Sequence, residues 1–341
     1  MFAKIGKIKL IHQIILRYIK VFLVIYYLCI MAKRKSAWFC SSCGNESPKW
    51  MGRCPACGEW NSMVEEPKSS AGTGGGASGR NRNLIQTQDA RPQLLTGITF
   101  DEEQRFSIGN TELDRILGGG MVQGSMILIG GEPGIGKSTL SLQIPLHASG
   151  LKTLYVSGEE SAVQIKLRAQ RLQGDDSQCY VLGETLLENI LVQAKEVKPS
   201  LLIIDSIQTI YSENIESSAG SVSQVRECAS VLLRYAKESN VPVILIGHIT
   251  KDGSIAGPKI LEHIVDVVLL FEGDTKGAYR ILRSIKNRFG STDELAVFEM
   301  TGNGLREVSN PSEIFMPMHK DDLSGVAVSA MMDGTRPFLI E

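Results

Sequence analysis

From residue 126 onward the chain alternates short runs of consecutive apolar residues with longer stretches in which apolar residues recur every three or four positions. Uninterrupted runs such as Met126-Ile127-Leu128-Ile129 suit strands buried on both faces, and the 3.6-residue recurrence suits the helices that cover them. The pattern predicts strands at 126–129, Thr153–Ser157, Leu201–Asp205 and Val243–Gly247, and a helix over Lys137–Ser149, with other helices between the strands. Two more strands are expected at Tyr279–Ser284 and Leu295–Glu299. Such alternation is the signature of an α/β domain with a parallel sheet covered on both faces.

Outside that region the pattern breaks. Residues 65–83 include PKSSAGTGGGASGRNRN, which has no apolar period and reads as a flexible Gly/Ser linker. The first thirty residues carry Lys4, Lys7, Lys9, Arg17 and Lys20 without an acid and close in the apolar run Val21–Ile30. Such an order resembles the basic and apolar regions of a signal peptide, but no small-residue cleavage site follows and the run is short for a membrane span. Met31 opens a self-sufficient Met-Ala-Lys-Arg-Lys start, so a mis-started extension over 1–30 is preferred to a membrane anchor. The expected location is then cytoplasmic, with no stable membrane partner. The division expected is 1–30 extension, 31–64 a small cysteine-bearing module, 65–83 linker, 84–310 the α/β domain and 311–341 a tail.

Composition adds little to the picture. The 341 residues are 43% hydrophobic with a formal net charge of −1, which excludes a fibrous chain, a wholly disordered one and a generally basic nucleic-acid coat.

The chemistry sits at the strand ends. After the first apolar run, Gly131-Glu132-Pro133-Gly134-Ile135-Gly136-Lys137-Ser138 fits the phosphate-loop pattern G-x-x-x-x-G-K-[ST] between a strand and a helix, with Thr139 following. The glycines let successive backbone N–H groups face phosphates at the positive end of the helix dipole. Lys137 is expected at the β- and γ-phosphates, and Ser138 as a magnesium ligand. Asp205 ends the apolar run Leu201–Ile204 and is the second candidate for magnesium, through water. Glu159 and Glu160 follow the strand Thr153–Ser157. Either would orient an attacking water, Glu159 being preferred, while capping of the helix that starts near Ser161 accounts for one of them. His248, after the strand Val243–Gly247, is a candidate γ-phosphate sensor or a structural histidine.

Cys40-x-x-Cys43 and Cys54-x-x-Cys57 provide four thiolates in paired knuckles, each pair followed by a glycine, the ligand set of a structural zinc site. Cys29, Cys179 and Cys228 read as inert single thiols. Trp38, Phe39, Trp50 and Trp60, with Lys33, Arg34, Lys35, Lys49 and Arg53, either dock nucleic acid by stacking and charge or simply fill the ribbon's small core.

With these residues in view the chain resembles the RecA superfamily of ATPases and, within it, the bacterial RadA/Sms family. The four-cysteine ribbon, the lead-in Ile108–Gly120 and the sequence Lys286-Asn287-Arg288-Phe289-Gly290 carry the likeness, from about Ala32 to the C-terminus. The resemblance implies a RecA-like phosphate-loop ATPase core preceded by a zinc ribbon, using ATP, Mg2+ and Zn2+. It implies homohexameric rings that act on single-stranded and branched DNA, hydrolyse ATP to drive branch migration, and work with a recombinase filament. Carried onto this chain, Glu159 polarises water, Lys137 and Asp205 serve nucleotide and magnesium, and Lys286 and Arg288 couple ATP state to DNA by reaching across a subunit interface. Without the resemblance KNRFG reads as a solvated basic turn. Lys251 and Lys259, in the glycine-rich segment 250–259, become candidate DNA-phosphate contacts, and Ser212–Ser221 a companion loop; both otherwise read as mobile surface loops. Val326–Val328 and Pro337–Ile340 resemble the opening strands of the family's C-terminal Lon-protease-like domain, and a tail of two strands is expected to be frayed. Two other readings stand beside this one: a KaiC-like regulatory ring ATPase or autokinase, and a nucleotide-gated DNA-binding scaffold without motor activity.

Overall fold

The uninterrupted apolar runs form the centre of a nine-stranded sheet in the computed structural model, which describes residues 36–41, 44–67, 94, 105–248, 260–273, 277–312 and 327–340. A small three-stranded ribbon comes first, made of β1 (Ser36–Cys40), β2 (Glu46–Ser47) and β3 (Met63–Pro67) in the order β2-β1-β3. The larger domain continues with β4 (Arg105–Phe106), α1 (Thr111–Ile116), β5 (Met121–Val122), β6 (Met126–Gly131), α2 (Lys137–His147), β7 (Thr153–Ser157), α3 (Ala162–Leu172) and β8 (Cys179–Gly183). Next come α4 (Leu187–Val197), β9 (Leu201–Asp205), α5 (Val222–Ser239), β10 (Val243–His248), α6 (Ile260–Ile264) and β11 (Val267–Glu272). The chain closes with β12 (Tyr279–Asn287), β13 (Leu295–Thr301), β14 (Gly304–Glu307), β15 (Ser329–Asp333) and β16 (Arg336–Ile340).

The large sheet runs β14-β13-β12-β11-β6-β10-β9-β7-β8. From β11 to β8 every pairing is parallel, as the apolar runs predict. The three strands on the other side are antiparallel because each follows its neighbour through a connection too short for a crossover helix. Alternate residues of each buried strand feed opposite cores. Ile127, Ile129, Ile203 and Ile244 pack with Leu140 and Ile144 of α2 and Ile165 of α3. Met126, Leu128, Leu202 and Ile204 pack with Ile190 of α4 and Val225 and Leu232 of α5. Helices on both faces therefore bring the carboxyl ends of β6, β10, β9 and β7 to one rim, where ligands bind in open α/β sheets.

Four differences from the sequence expectation stand out. The ribbon's sheet runs through Pro67, which pairs with Ser36, so the first three residues of the expected 65–83 linker belong to the ribbon. Ser212–Ser221 is not a loose loop: the buried Gln224 side chain donates to the carbonyls of Ser212, Ile215 and Ser217 and accepts from the Ser212 N–H. KNRFG is not a solvated turn either, since Lys286 and Asn287 extend β12 beyond Ser284. The tail, expected to fray, is docked. Ala327 and Val328 precede the first strand rather than form it, and β15 pairs with β16 in a hairpin. Phe338 buries itself against Leu295 and Val297, Arg336 reaches the carboxylate of Glu112 at 2.5 Å, and Arg283 grips Asp333 through two 3.0 Å bonds. Two strands cannot build a core, and these take theirs from β13.

Among the expectations, the 1–30 extension, Lys33, Arg34 and Lys35, Cys29, Cys43, the 68–83 part of the linker, Lys251 and Lys259 lie outside the described residues.

Candidate functional site

The phosphate loop leaves β6 at Gly131 and enters α2 at Lys137. Gly134 at φ 78° and Gly136 at φ 119° hold the left-handed conformations that let the loop wrap, and L side chains rarely adopt them. Glu132, Pro133 and Gly134 are exposed, Ile135 is buried under the loop, and Ser138 and Thr139 sit half-buried in the first turn of α2. Its N-cap, Gly136, has no side chain to cap that helix and the first turn carries no acid, which leaves the N–H groups of that turn suited to an anion. Lys137 is 4% exposed, and its ammonium donates to the carbonyls of Gly131 and Glu132 at 2.8 Å each. Burial pulls its pKa down to about 8, against the upward pull of Asp205, Glu159 and Glu132. These residues fit a triphosphate with its magnesium: uncapped N–H groups, a poised ammonium, the Ser138 hydroxyl and a nearby carboxylate.

That carboxylate is Asp205, at the end of β9 and 7% exposed. It accepts a 2.6 Å hydrogen bond from the hydroxyl of Tyr155, which is fully buried in β7. Burial first, and then the charge of Asp205, raise the Tyr155 pKa well above its ordinary value, so the phenol stays a donor. In the ladder Ser157 lies opposite Asp205 and His248 opposite Gly131, which aligns four strand ends around the loop.

The two acids after β7 have different surroundings. Glu160 is paired with Arg168 of α3. Glu159 instead accepts from the Ser206 hydroxyl at 2.7 Å and lies 3.4 Å from His248 Nε2, where its charge is felt by Lys137 of the phosphate loop. Neither acid caps α3, because Ser161 and Gln164 form a capping box there. His248 Nδ1 is buried and takes no partner among the described residues.

Lys286 and Arg288 lie at the far end of the sheet. Lys286 Nζ donates to the carbonyls of Glu262 and Val265 at 2.6 and 2.8 Å, closing the C-terminal end of α6. Desolvation, then the charge of Arg288, lower its pKa. Arg288 pairs with the buried Asp266 at 3.1 Å. Asp266 is bonded to Met126, the first residue of β6, whereas the phosphate loop follows its last residue. Five strand steps, about 17 Å, separate the two ends, so neither basic residue reaches the phosphate loop of its own chain. Asn287 and Phe289 bind the Gly-rich turn after α1, through the carbonyl of Ile116 and through Arg105.

In the ribbon, the sulfurs of Cys40, Cys54 and Cys57 lie within 4.8 Å of one another, with Cys40 and Cys57 3.6 Å apart. Tetrahedral zinc at about 2.3 Å from each sulfur needs a separation of about 3.8 Å, so the donor set fits zinc. Gly44 and Gly58, at φ 66° and 77°, donate to the carbonyls of Cys40 and Cys54 and close the two knuckles. Trp38 packs on the small core, whereas Trp50 and Trp60 are 54% and 68% exposed, with the Arg53 guanidinium over the Trp60 ring. Burial pushes the thiols of Cys179 and Cys228 up to about 11 and about 12, which keeps them protonated at neutral pH.

Sequence reasoning missed three residues of the site. Tyr155 and Ser206 set the two carboxylates, and the buried Arg280 of β12 braces the loop by donating to the Ile135 carbonyl at 3.1 Å. A tyrosine inside an aliphatic strand was the one signal available for the first; the other two are products of packing.

Comparison with known proteins agrees with this geometry. A sequence model described as a rubredoxin metal binding domain matches residues 38–65, and one described as an AAA domain matches residues 98–254. The chain is 51% identical over 313 residues to the "DNA repair protein RadA" of Bacillus subtilis (strain 168), covering 91% of this chain and 68% of the relative. It is 48% identical over 312 residues to the protein of the same name from Pseudomonas aeruginosa, with 91% and 68% covered. Among solved structures, a KaiC-like protein from Pyrococcus horikoshii OT3 superposes with a TM-score of 0.50 at 22% identity, covering 60% of this chain and 99% of that one, which shows the shared fold.

Proposed function

The chain belongs to the family of the bacterial RadA DNA-repair proteins, and on that premise we propose that it is a DNA-dependent ATPase that couples hydrolysis to movement on recombination intermediates. The observation that carries the ATPase reading is the convergence of Lys137, Asp205 and Glu159 on one rim, with two of the three charges buried or nearly so. Water held by Glu159 attacks the γ-phosphorus in line, the bond to the β,γ-bridging oxygen breaks, and ADP and inorganic phosphate leave, with the water's proton passing to solvent. Lys137 and the α2 N–H groups bind the phosphates and neutralise developing charge. Magnesium, when held by Ser138 and Asp205, supplies further neutralisation. His248, bonded to Glu159, is suited to report whether the γ-phosphate is present.

We assign single-stranded and branched DNA as the partner, with the recombinase filament beside it, and the cytoplasm as the place of reaction; among the described residues no helix is long and apolar enough to cross a membrane. Lys251, Lys259 and the Ser212–Ser221 loop are the proposed DNA contacts. The active form is a homohexameric ring, in which Arg288, with Lys286 behind it, acts on the nucleotide of the next copy. The separation of about 17 Å within one chain supports that assignment, because it removes the alternative of acting in cis.

The test is steady-state ATP hydrolysis of the chain from Met31, with and without single-stranded DNA, across a salt series and beside Lys137→Ala. Stimulation that fades with salt is expected, because phosphate contacts release counterions, and the variant should show no turnover. Hydrolysis indifferent to DNA would favour the regulatory ring ATPase, and DNA binding without strand displacement the nucleotide-gated scaffold.

A further inference from the structure

One buried acid takes no part in the chemistry above. Asp266, between α6 and β11, has a side chain only 3% exposed, and both its oxygens are used. Oδ2 accepts from the Met126 N–H at 3.1 Å and from Lys237 of α5 at 2.7 Å, while Oδ1 accepts from Arg288 Nη1 at 3.1 Å. The backbone doubles the tie: the Asp266 N–H donates to the Met126 carbonyl, and the Arg288 N–H donates to the Asp266 carbonyl. Arg288 itself is half-exposed, and its Nη2 and Nε take no partner among the described residues.

We propose that Asp266 is a positioning residue: it grips one nitrogen of the Arg288 guanidinium as a handle and presents the other nitrogens outward to the phosphates of a neighbouring copy's nucleotide. This rests on the reading that Arg288 acts across a subunit interface. A guanidinium is a rigid planar fork, so fixing Nη1 fixes the direction of Nη2 as well. The anchor is stiff because Asp266 is bonded at the same time to the first residue of β6, the central strand whose far end is the phosphate loop. Such preorganisation matters most for a group that must meet developing charge without reorganising. A lysine at 288 could not serve, since its one nitrogen, drawn back to Asp266, cannot also extend outward to a phosphate as the second nitrogen of a planar fork can.

Asn is the informative replacement. It fits the space of Asp266 and keeps one acceptor oxygen, enough for Met126 and Lys237, but it turns an amide NH2 toward Arg288 and releases the guanidinium. In the assembled protein with Mg-ATP, Asp266→Asn should lower kcat at least about tenfold with KM for ATP unchanged, against a loss of about a hundredfold for Arg288→Gln. The double variant should be no slower than Arg288→Gln alone, and Lys237→Met, which leaves the Oδ1 contact intact, should stay within about twofold of the parent. Losses that add, or an equal loss in Lys237→Met, would overturn the positioning role while leaving Arg288 its function. Unaltered turnover in Arg288→Gln would instead sink the reading of Arg288, and the positioning role with it. If Asp266→Asn does not fold, Arg288→Lys decides: a loss as large as that of Arg288→Gln is expected, and parental turnover overturns the proposal.

Discussion

Replacing Tyr155 by Phe removes a single oxygen from the base of the nucleotide site. The ring is fully buried, so Phe fills the same space and leaves no cavity of consequence. What is lost is the 2.6 Å hydrogen bond to Asp205, a carboxylate almost wholly withdrawn from water. A hydrogen bond to a charged group contributes about 1.5–3 kcal/mol, and the cost rises toward the upper value when the surviving partner is buried. The variant should therefore lose roughly 2 kcal/mol, which for a domain of this size lowers the melting temperature by about 4–8 °C. Calorimetry or thermal denaturation without nucleotide measures it, with Asp205→Asn as the second arm of a double-mutant cycle. In the Asp205→Asn background the same Tyr-to-Phe change should cost under about 1 kcal/mol, because the acceptor is then neutral. A Tyr155→Phe protein within about 0.5 kcal/mol of the parent, or one that loses equally in both backgrounds, would falsify the argument that the phenol secures the Asp205 carboxylate.

The depressed pKa of Lys137 makes a second prediction. In the free protein the Lys137 ammonium, proposed above to bind phosphate, is lost as pH rises through about 8, so kcat/KM should fall above that pH by up to about tenfold per unit, and the fall should be absent from the residual activity of Lys137→Arg. Linkage gives the matching stability effect: between about 8 and the ordinary lysine value of 10.5 the unfolded chain binds the extra proton, so this group makes stability rise with pH in that window. A third prediction concerns the ribbon. Cys54→Ser, or chelation at neutral pH, should release zinc and unfold residues 36–67, because a segment of that size has no core without its metal. Nucleotide binding should persist within about twofold, and a concurrent loss of ATP affinity, read by titration with a fluorescent analogue, would show that the ribbon supports the ATPase domain after all.

How much was legible in the sequence differs from element to element. Glycines at 134 and 136 and lysine at 137 were readable because a phosphate loop is a local device: its backbone conformations, helix start and charge all lie within a few residues of one another, and the acid at 205 was readable because it ends an apolar run within its own segment. The cysteine knuckles were readable for the same reason. Strand limits at Thr153–Ser157 and Leu201–Asp205 agreed with the pattern because both faces of those strands are buried, which leaves little room for polar residues.

Tertiary packing decided the rest. That Glu159 faces Ser206 and His248 while its neighbour Glu160 turns to Arg168 depends on β7, β9 and β10 lying side by side, and on a helix capped by Ser161. KNRFG read as a solvated basic turn, yet the fold divides it: Lys286 closes a helix, Asn287 and Phe289 fasten a glycine turn, and Arg288, tied to Asp266 through Nη1, stays half-exposed. The docked tail was invisible because its stability comes from Leu295, Val297 and Glu112, residues far along the chain from their partners in the hairpin. Sequence thus determined what each local segment could bind. Which groups were brought together across the sheet, and which charges were spent on each other, followed from hydrogen bonds and burial between distant segments, and those exist only once the chain has folded.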